Sequence, residues 1–204
     1  MKKKIITVKL LIAFSVIGFA QKKGDVEFGI NLGLNSSNVT SEYLSSDTGT
    51  GVNLGFAADY FFSDSWSLKG KIIYDQKGWD NGLLYVGVNR YNTNYNLNYL
   101  TIPVMANWHF GKKKNWNLNF GPYAGFLLSA EETAYNTNVK EFFNTNDFGL
   151  NIGIGVKFPL SNKLKLNIEY EAQSGFSDVF KDNNNKRIIG TRGALNVGLN
   201  FLMK

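Results

Sequence analysis

The sequence predicts an all-β chain folded as an eight-stranded antiparallel transmembrane β-barrel, with short periplasmic turns and long extracellular loops. Three observations predict it. Apolar residues recur at period two in eight segments. The connections between those segments alternate strictly between short and long. The chain also begins like an exported protein: Lys2, Lys3 and Lys4 precede an apolar run from Ile5 to Phe19, and Gly18 and Ala20 stand three and one residues before Gln21. That order is the one found in secretory signal peptides. The run is broken by Lys9 and falls short of the ~20 residues of a spanning helix. Residues 1–20 therefore read as a cleaved signal peptide and 21–204 as one barrel domain. The expected location is the cell outer membrane of a Gram-negative envelope.

Each strand follows from its alternation. The first, about 26–35, places Val26, Phe28, Ile30, Leu32 and Leu34 on one face. The second, about 51–62, does so with Val52, Leu54, Phe56, Ala58, Tyr60 and Phe62, and the third, 66–76, with Trp66, Leu68, Ile72 and Tyr74. Strand four, 97–110, carries Leu100, Ile102, Val104, Ala106, Trp108 and Phe110; strand five, 116–129, carries Trp116, Leu118, Phe120, Ala124, Phe126 and Leu128. Strand six, 147–158, runs from Phe148 to Phe158, and strand seven, 164–174, from Leu164 to Ala172. In strand eight, 192–202, Leu195, Val197, Leu199 and Phe201 alternate with Asn196, Gly198 and Asn200. Each is close to the ~9–11 residues a tilted strand needs to cross a bilayer.

Short turns are expected at 63–65, 111–115 and 159–163, and long polar loops at about 36–50, 77–96, 130–146 and 175–191, where Gly, Ser, Asn and Asp accumulate. Even-stranded outer-membrane barrels join their strands in this way. The hairpin period of about 48 residues also suits a propeller blade, but the chain is too short for the usual number of blades. Closure requires the first strand to lie antiparallel beside the eighth, which removes both sheet edges from lipid. If Phe62 faces Trp66, then Asp59 faces Lys69 and Ala57 faces Lys71. If Phe110 faces Trp116, then Pro103 faces Tyr123 and Val104 faces Pro122. Two neighbouring prolines without N–H donors predict a gap or bulge in the ladder there.

Aromatic residues flank the short turns: Phe62, Trp66, Trp108, Phe110, Trp116 and Phe158 share the parity of the apolar face. Trp and Tyr prefer the bilayer interface, and Trp79, Tyr95 and Tyr99 are expected near the opposite rim. The other face is polar. Asp59, Lys69, Lys71, Asp75, Lys157, Lys165, Glu169 and Glu171 are the expected lumen network, accompanied by Glu27 and several Asn and Gly. An eight-stranded barrel is just wide enough for its own side chains, so charges of both signs should pair there. A structural polar plug is the leading reading; a proton or ion path is the alternative.

Composition narrows the chemistry. The formal charge of +6 (22 basic, 16 acidic) includes Lys2, Lys3, Lys4 and Lys9 of the leader, which leaves 18 basic against 16 acidic, or +2. A nucleic-acid surface loses its support. No cysteine is present, so disulfides, thiolate metal sites and a Cys nucleophile are excluded. A mean hydropathy of −0.19 argues against helical membrane spans but suits a barrel that exposes alternate residues to lipid. His109 is the only histidine, so multi-His zinc sites are excluded. It is expected at the periplasmic rim against the Gly111 turn, away from any surface substrate. Glu131 and Glu132 read as solvated loop carboxylates. Gly149, Gly153 and Gly155 alternate inside a strand, without the strand–turn–helix setting of a phosphate cradle. Lys112, Lys113 and Lys114 read as a solvated turn, with anionic lipid headgroups as a second reading. No catalytic residue, cofactor or metal is expected.

The stretch Tyr99-Leu100-Thr101-Ile102-Pro103 through Phe110-Gly111, then Asn119-Phe120-Gly121-Pro122-Tyr123-Ala124-Gly125-Phe126, resembles the PorT-type family of outer-membrane β-barrel-domain proteins of Bacteroidota. Asp147-Phe148-Gly149-Leu150 with Gly153 and Gly155 is similar to the same family's sixth strand. The likeness covers the mature chain. It carries over no catalytic residue. It implies a porin-family barrel, and for the PorT protein itself an association with type IX secretion. The expected function is therefore a non-enzymatic barrel with a structural or loop-mediated role in the envelope. An accessory part of a secretion system, or a narrow channel, is the alternative. Expected partners are outer-membrane lipid and envelope or secretion-system proteins, with no nucleic acid.

Overall fold

A computed structural model describes residues 21–40, 46–182 and 187–203. The expected signal peptide, 1–20, lies outside the described residues. Eight long strands form the wall: β1 Val26–Thr40, β2 Asp47–Phe61, β3 Trp66–Val86, β4 Asn89–Phe110, β5 Trp116–Glu132, β6 Asn146–Pro159, β7 Leu164–Gly175 and β8 Ile189–Met203. Each pairs antiparallel with its sequence neighbours. β1 closes the ring against β8, with Phe28 opposite Phe201 and Leu34 opposite Leu195. A two-residue strand, Thr137–Asn138, folds back on the end of β5, and a 3-10 turn follows at Lys140–Phe142.

The barrel is inside out relative to a water-soluble domain. Leu32, Leu34, Phe56, Ile72, Ile152 and Leu195 are exposed on its outer face, while Glu27, Asp59, Asp75, Glu169 and Glu171 are at most 1% exposed inside it. So continuous an apolar surface is stable only against lipid. The narrow lumen explains the alternating glycines. Asn31 faces Gly55 and Gly198, and Asn119 faces Gly153, so each amide fills the space above a residue without a side chain. A methyl group on Gly33 would fall 2.0 Å from Asn196 Oδ1.

The pairings Asp59 with Lys69, Ala57 with Lys71, and Phe110 with Trp116 hold as expected. The ladder is interrupted around the prolines. Between β3 and β4 it skips from Gly70–Val104 to Ile73–Thr101, and between β4 and β5 from Pro103–Tyr123 to Ala106–Phe120. The register is kept on both sides of the second break, so the interruption is a gap. The bulge in this hairpin lies higher, between Asn98 and Tyr99. Gly121 lets β4 close in at the gap, since a Cβ there would meet the Val104 carbonyl oxygen at 2.1 Å.

Three expectations are corrected. The strands are longer than a bilayer crossing, from 12 to 22 residues. The segment 77–96 is not a loop: β3 and β4 continue through it as a hairpin, turning at Gly87 (φ +63°). Its asparagines suggested a loop, but Asn92, Asn94, Asn96 and Asn98 alternate with Thr93, Tyr95, Leu97 and Tyr99, which is a strand pattern whose apolar face has switched sides. For the same reason Trp79, Tyr95 and Tyr99 are not on the outer rim. They point inward and are 3%, 7% and 4% exposed.

Candidate functional site

Inward side chains of the lower barrel supply six carboxylates and six cations. They form two runs of alternating sign, one at the floor and one above it. At the periplasmic floor Glu27 binds Lys157 and, at 2.7 Å, Lys165, and Lys157 lies 3.5 Å from Asp59. Above them Lys69 meets Glu169 at 2.6 Å, and Lys71 bridges Glu169 and Glu171, each at 2.5 Å. Arg192 lies 3.9 Å from Glu171 and 2.9 Å from Asp75. Lys77 ends the series, 3.9 Å from Asp75 and 3.3 Å from Asp147. Asparagines complete the shells: Asn117 and Asn119 donate to Glu169, Asn196 to Glu171, Asn200 to Glu27 and Asn107 to Asp59.

The direction of these bonds is decisive. β3 and β7 lie half-way round the ring from each other, so Lys69 and Lys71 reach Glu169 and Glu171 from the opposite wall. Asp59 and Lys69 are cross-strand neighbours as expected, yet Lys69 is bonded across the lumen and Asp59 to Asn107 on β4 and Lys157 on β6. In a barrel this narrow a long lysine reaches the far wall more readily than it folds back along its own. All eight sequence-predicted lumen residues point inward. Arg192, Lys77 and Asp147 were missed, although each has the parity of its inward neighbours: Lys77 follows Lys69, Lys71 and Asp75, and Arg192 precedes Asn196 and Asn200.

His109 stands at the expected periplasmic level, its backbone N–H donating to the carbonyl of Ser65 in a short turn at 2.7 Å, but its side chain is packed inside the lumen. It is 1% exposed, lies 4.7 Å from the Phe61 ring centroid, and its Nε2 is 2.8 Å from Ser67 Oγ. Asp59 approaches the same Nε2, at 3.8 Å, and Nδ1 has no partner among the described residues. In a Ser-His-Asp relay the acid holds Nδ1 while Nε2 faces the serine. Here both neighbours crowd one nitrogen, and Ser67 is fully buried. The trio serves as a packed floor. No group of three potential metal ligands occurs among the described residues.

Above the ionic series the interior becomes apolar. Trp79 and Tyr95 pack at 4.9 Å, Phe143 lies 5.9 Å from each, and Phe180 lies 4.8 Å from Phe143. Val39, Leu97, Leu127, Val139, Val179 and Ile188 join this cap. Lys77 lies beneath it, over the rings of Tyr99 and Tyr123 at 5.1 and 5.0 Å. Beside the cap a cleft of about 270 Å³ opens outward, lined by Leu84, Tyr95, Phe142, Phe143 and Phe180. Glu132 is not solvated as expected. Its carboxylate accepts from Thr93 Oγ1 (2.9 Å) and from the N–H groups of Ala134, Tyr135 and Thr137. Cover by its own loop pushes this carboxyl up, but the hydrogen bonds from Thr93, Thr137 and Tyr135 outweigh that and hold it below the usual range.

On the outer face at the periplasmic end, Trp66, Trp108, Phe110 and Trp116 form a row of stacked rings at 6.2, 4.9 and 6.3 Å. Phe62 and Phe158 are exposed at the same end.

A closed antiparallel ring, an apolar outer band and a polar interior define an outer-membrane β-barrel. The chain belongs to the outer membrane protein beta-barrel domain family, whose sequence model matches residues 19–181. Among solved structures it is similar to outer membrane protein OprG of Pseudomonas aeruginosa (TM-score 0.58, 10% identity, 90% of this chain and 98% of that one). It is also similar to outer membrane protein AlkL in DMPC bilayers (0.56, 10%, 94% and 95%) and to Neisserial surface protein A (0.50, 16%, 85% and 96%). At these identities the likeness is one of fold. No curated protein sequence matches the chain significantly.

Proposed function

We propose that the protein is a closed, non-enzymatic outer-membrane scaffold, exported with a cleaved leader, whose extracellular end makes its functional contacts. The observation that carries this reading is the set of ion pairs joining opposite walls, from Lys69 and Lys71 on β3 to Glu169 and Glu171 on β7. Side chains committed to one another across the lumen are not free to relay a solute, and the aromatic cap sits over them. The His109 trio lacks relay connectivity, which favours a non-enzymatic role. The outward cleft beside the cap, with Phe142 57% exposed at its edge, is the surface we assign to contact.

The resemblance to PorT-type proteins of Bacteroidota supports a second reading, an accessory of a type IX-like secretion system, in which the periplasmic end would hold partners. One experiment separates the two. A photo-crosslinking residue is placed at Phe142 or at Lys113 in intact cells. The scaffold reading expects discrete adducts from position 142 and lipid alone from position 113. Secretion components captured at 113, with nothing at 142, would replace it with the second reading.

A further inference from the structure

Charge is sorted along the barrel axis. The lumen balances, each carboxylate matched by a cation. The periplasmic end does not. Lys22 and Lys23 precede β1, Lys112, Lys113 and Lys114 occupy the β4–β5 turn, and Lys163 lies on the β6–β7 turn; all but the half-buried Lys114 are exposed. The two acids at this end are already engaged by backbone: Asp25 accepts from the Lys22 N–H at 2.9 Å and Asp64 from the Lys23 N–H at 3.2 Å. None of the six ammonium groups pairs with a carboxylate among the described residues. At the opposite end the balance is acidic, with Asp47, Asp80, Glu131, Glu141 and Asp182 outnumbering the basic residues there among the described residues.

We propose that the periplasmic rim is a binding site for the phosphodiester headgroups of anionic phospholipid in the adjoining leaflet. The occupant follows from what adjoins the lysines. The β4–β5 turn that bears Lys112, Lys113 and Lys114 connects Phe110 to Trp116, two members of the stacked aromatic row. Moving outward from the bilayer centre, the surface presents aliphatic side chains, then indole rings, then free ammonium groups. A phospholipid presents acyl chain, ester region and phosphate in the same order. Lysine stems can lie along the apolar band while their charged heads reach the phosphates. A soluble acidic partner would match the charge alone; lipid matches both the charge and the aromatic row beneath it. The acidic opposite end makes the preference one-sided.

The test uses the full mature chain in phosphatidylcholine vesicles, with spin-labelled phosphatidylglycerol or phosphatidylcholine as probe. Vesicle leaflets are alike, so insertion direction does not matter. Phosphatidylglycerol should associate at least about fivefold more strongly, the factor one lysine near an anionic surface is worth. High salt should erase the preference, because these charges are exposed. Lys→Gln at the six positions should remove it and Lys→Arg should keep it, with barrel content checked by circular dichroism. Lys140→Gln with Lys181→Gln, at the other end, should leave it unchanged. Equal association of the two lipids, or a preference that survives the six Lys→Gln changes, would overturn the proposal. Full displacement of the lipid probe by millimolar inorganic phosphate would also overturn it, by assigning the rim to a soluble anion.

Discussion

The lower and upper halves of the barrel interior are lined by the same strands in one sense of alternation, yet they are filled by opposite chemistry. On β4 the odd positions point inward from Thr93 to His109. Low in the barrel they are His109, Asn107, Met105, Pro103 and Thr101, of which three are polar; high in it they are Tyr99, Leu97 and Tyr95, all apolar rings or chains. The even positions change in the reverse sense, from Trp108, Val104 and Leu100 to Asn98, Asn96 and Asn94. The first strand behaves alike, with Leu34 giving way to Ser36 outside and Asn35 to Val39 inside. What inverts is the solvent. Where lipid surrounds the wall, apolar groups belong outside and polar groups satisfy one another inside. Where water surrounds it, the ordinary soluble rule returns and the wall closes over an apolar core. The crossover near Leu34 and Leu100 marks the outer edge of the bilayer.

The largest effect that can break this comparison comes from the ionic half. Glu169→Ala strands Lys69 and leaves Lys71 with Glu171 alone, and removing one member of a buried pair costs about 3–5 kcal/mol. Denaturant unfolding in lipid vesicles should show that loss. Adding Lys69→Met should recover most of it, because Lys71 keeps Glu171 and a well-packed apolar replacement of a buried ion pair is often neutral. A Glu169→Ala variant as stable as wild type would mean that the lumen is solvated and the pairs are inessential.

The aromatic half should respond differently. Phe143→Ala removes a ring in contact with Trp79, Tyr95 and Phe180, for a cost of about 3 kcal/mol. That cost should stay local, with residues 133–145 becoming protease-sensitive while amides of the lower strands keep their slow exchange. Global unfolding at the same denaturant concentration as Glu169→Ala would show that the two halves are one cooperative unit.

A smaller effect sharpens the boundary of the cap. The depressed carboxyl of Glu132 contributes stability that is complete above the usual carboxylate range and is lost as pH falls through its lower folded-state value. Exchange at Tyr135 and Thr137 should therefore quicken only in strong acid, and Glu132→Gln should quicken it at neutral pH. Insensitivity to both would remove Glu132 as the organiser of this loop. The smallest effect is expected at the wall gap. Pro103→Ala restores an N–H facing β3, worth about 1 kcal/mol at most. In that variant, a protected amide at position 103 would assign the gap to the proline alone; an unprotected one would assign it to wall curvature.

The same comparison explains what could be read in the sequence. The lower half was legible because lipid forces apolar and polar residues onto opposite faces. Eight strands, the β1–β8 closure and the Asp59–Lys69 register all follow from that contrast. The upper half was not, because the contrast reverses at Tyr99 while the alternation continues. Asparagine next to tyrosine then looks like loop, and inward Trp79 looks like a rim aromatic. Partner choice in the lumen was not legible either. Parity shows that Lys69 points inward, but its choice of Glu169 over Asp59 depends on the width of the closed ring, which no local pattern encodes.

Whether the lumen is shut by its own side chains is read out most directly by single-channel recording in planar bilayers. Wild-type protein should give no resolvable conductance steps at either polarity, whereas a variant with Lys71→Ala, Glu169→Ala and Glu171→Ala that still folds should give small ones. Stable ohmic steps from the wild type, unchanged in that variant, would show an open path through a lumen that these ion pairs do not close.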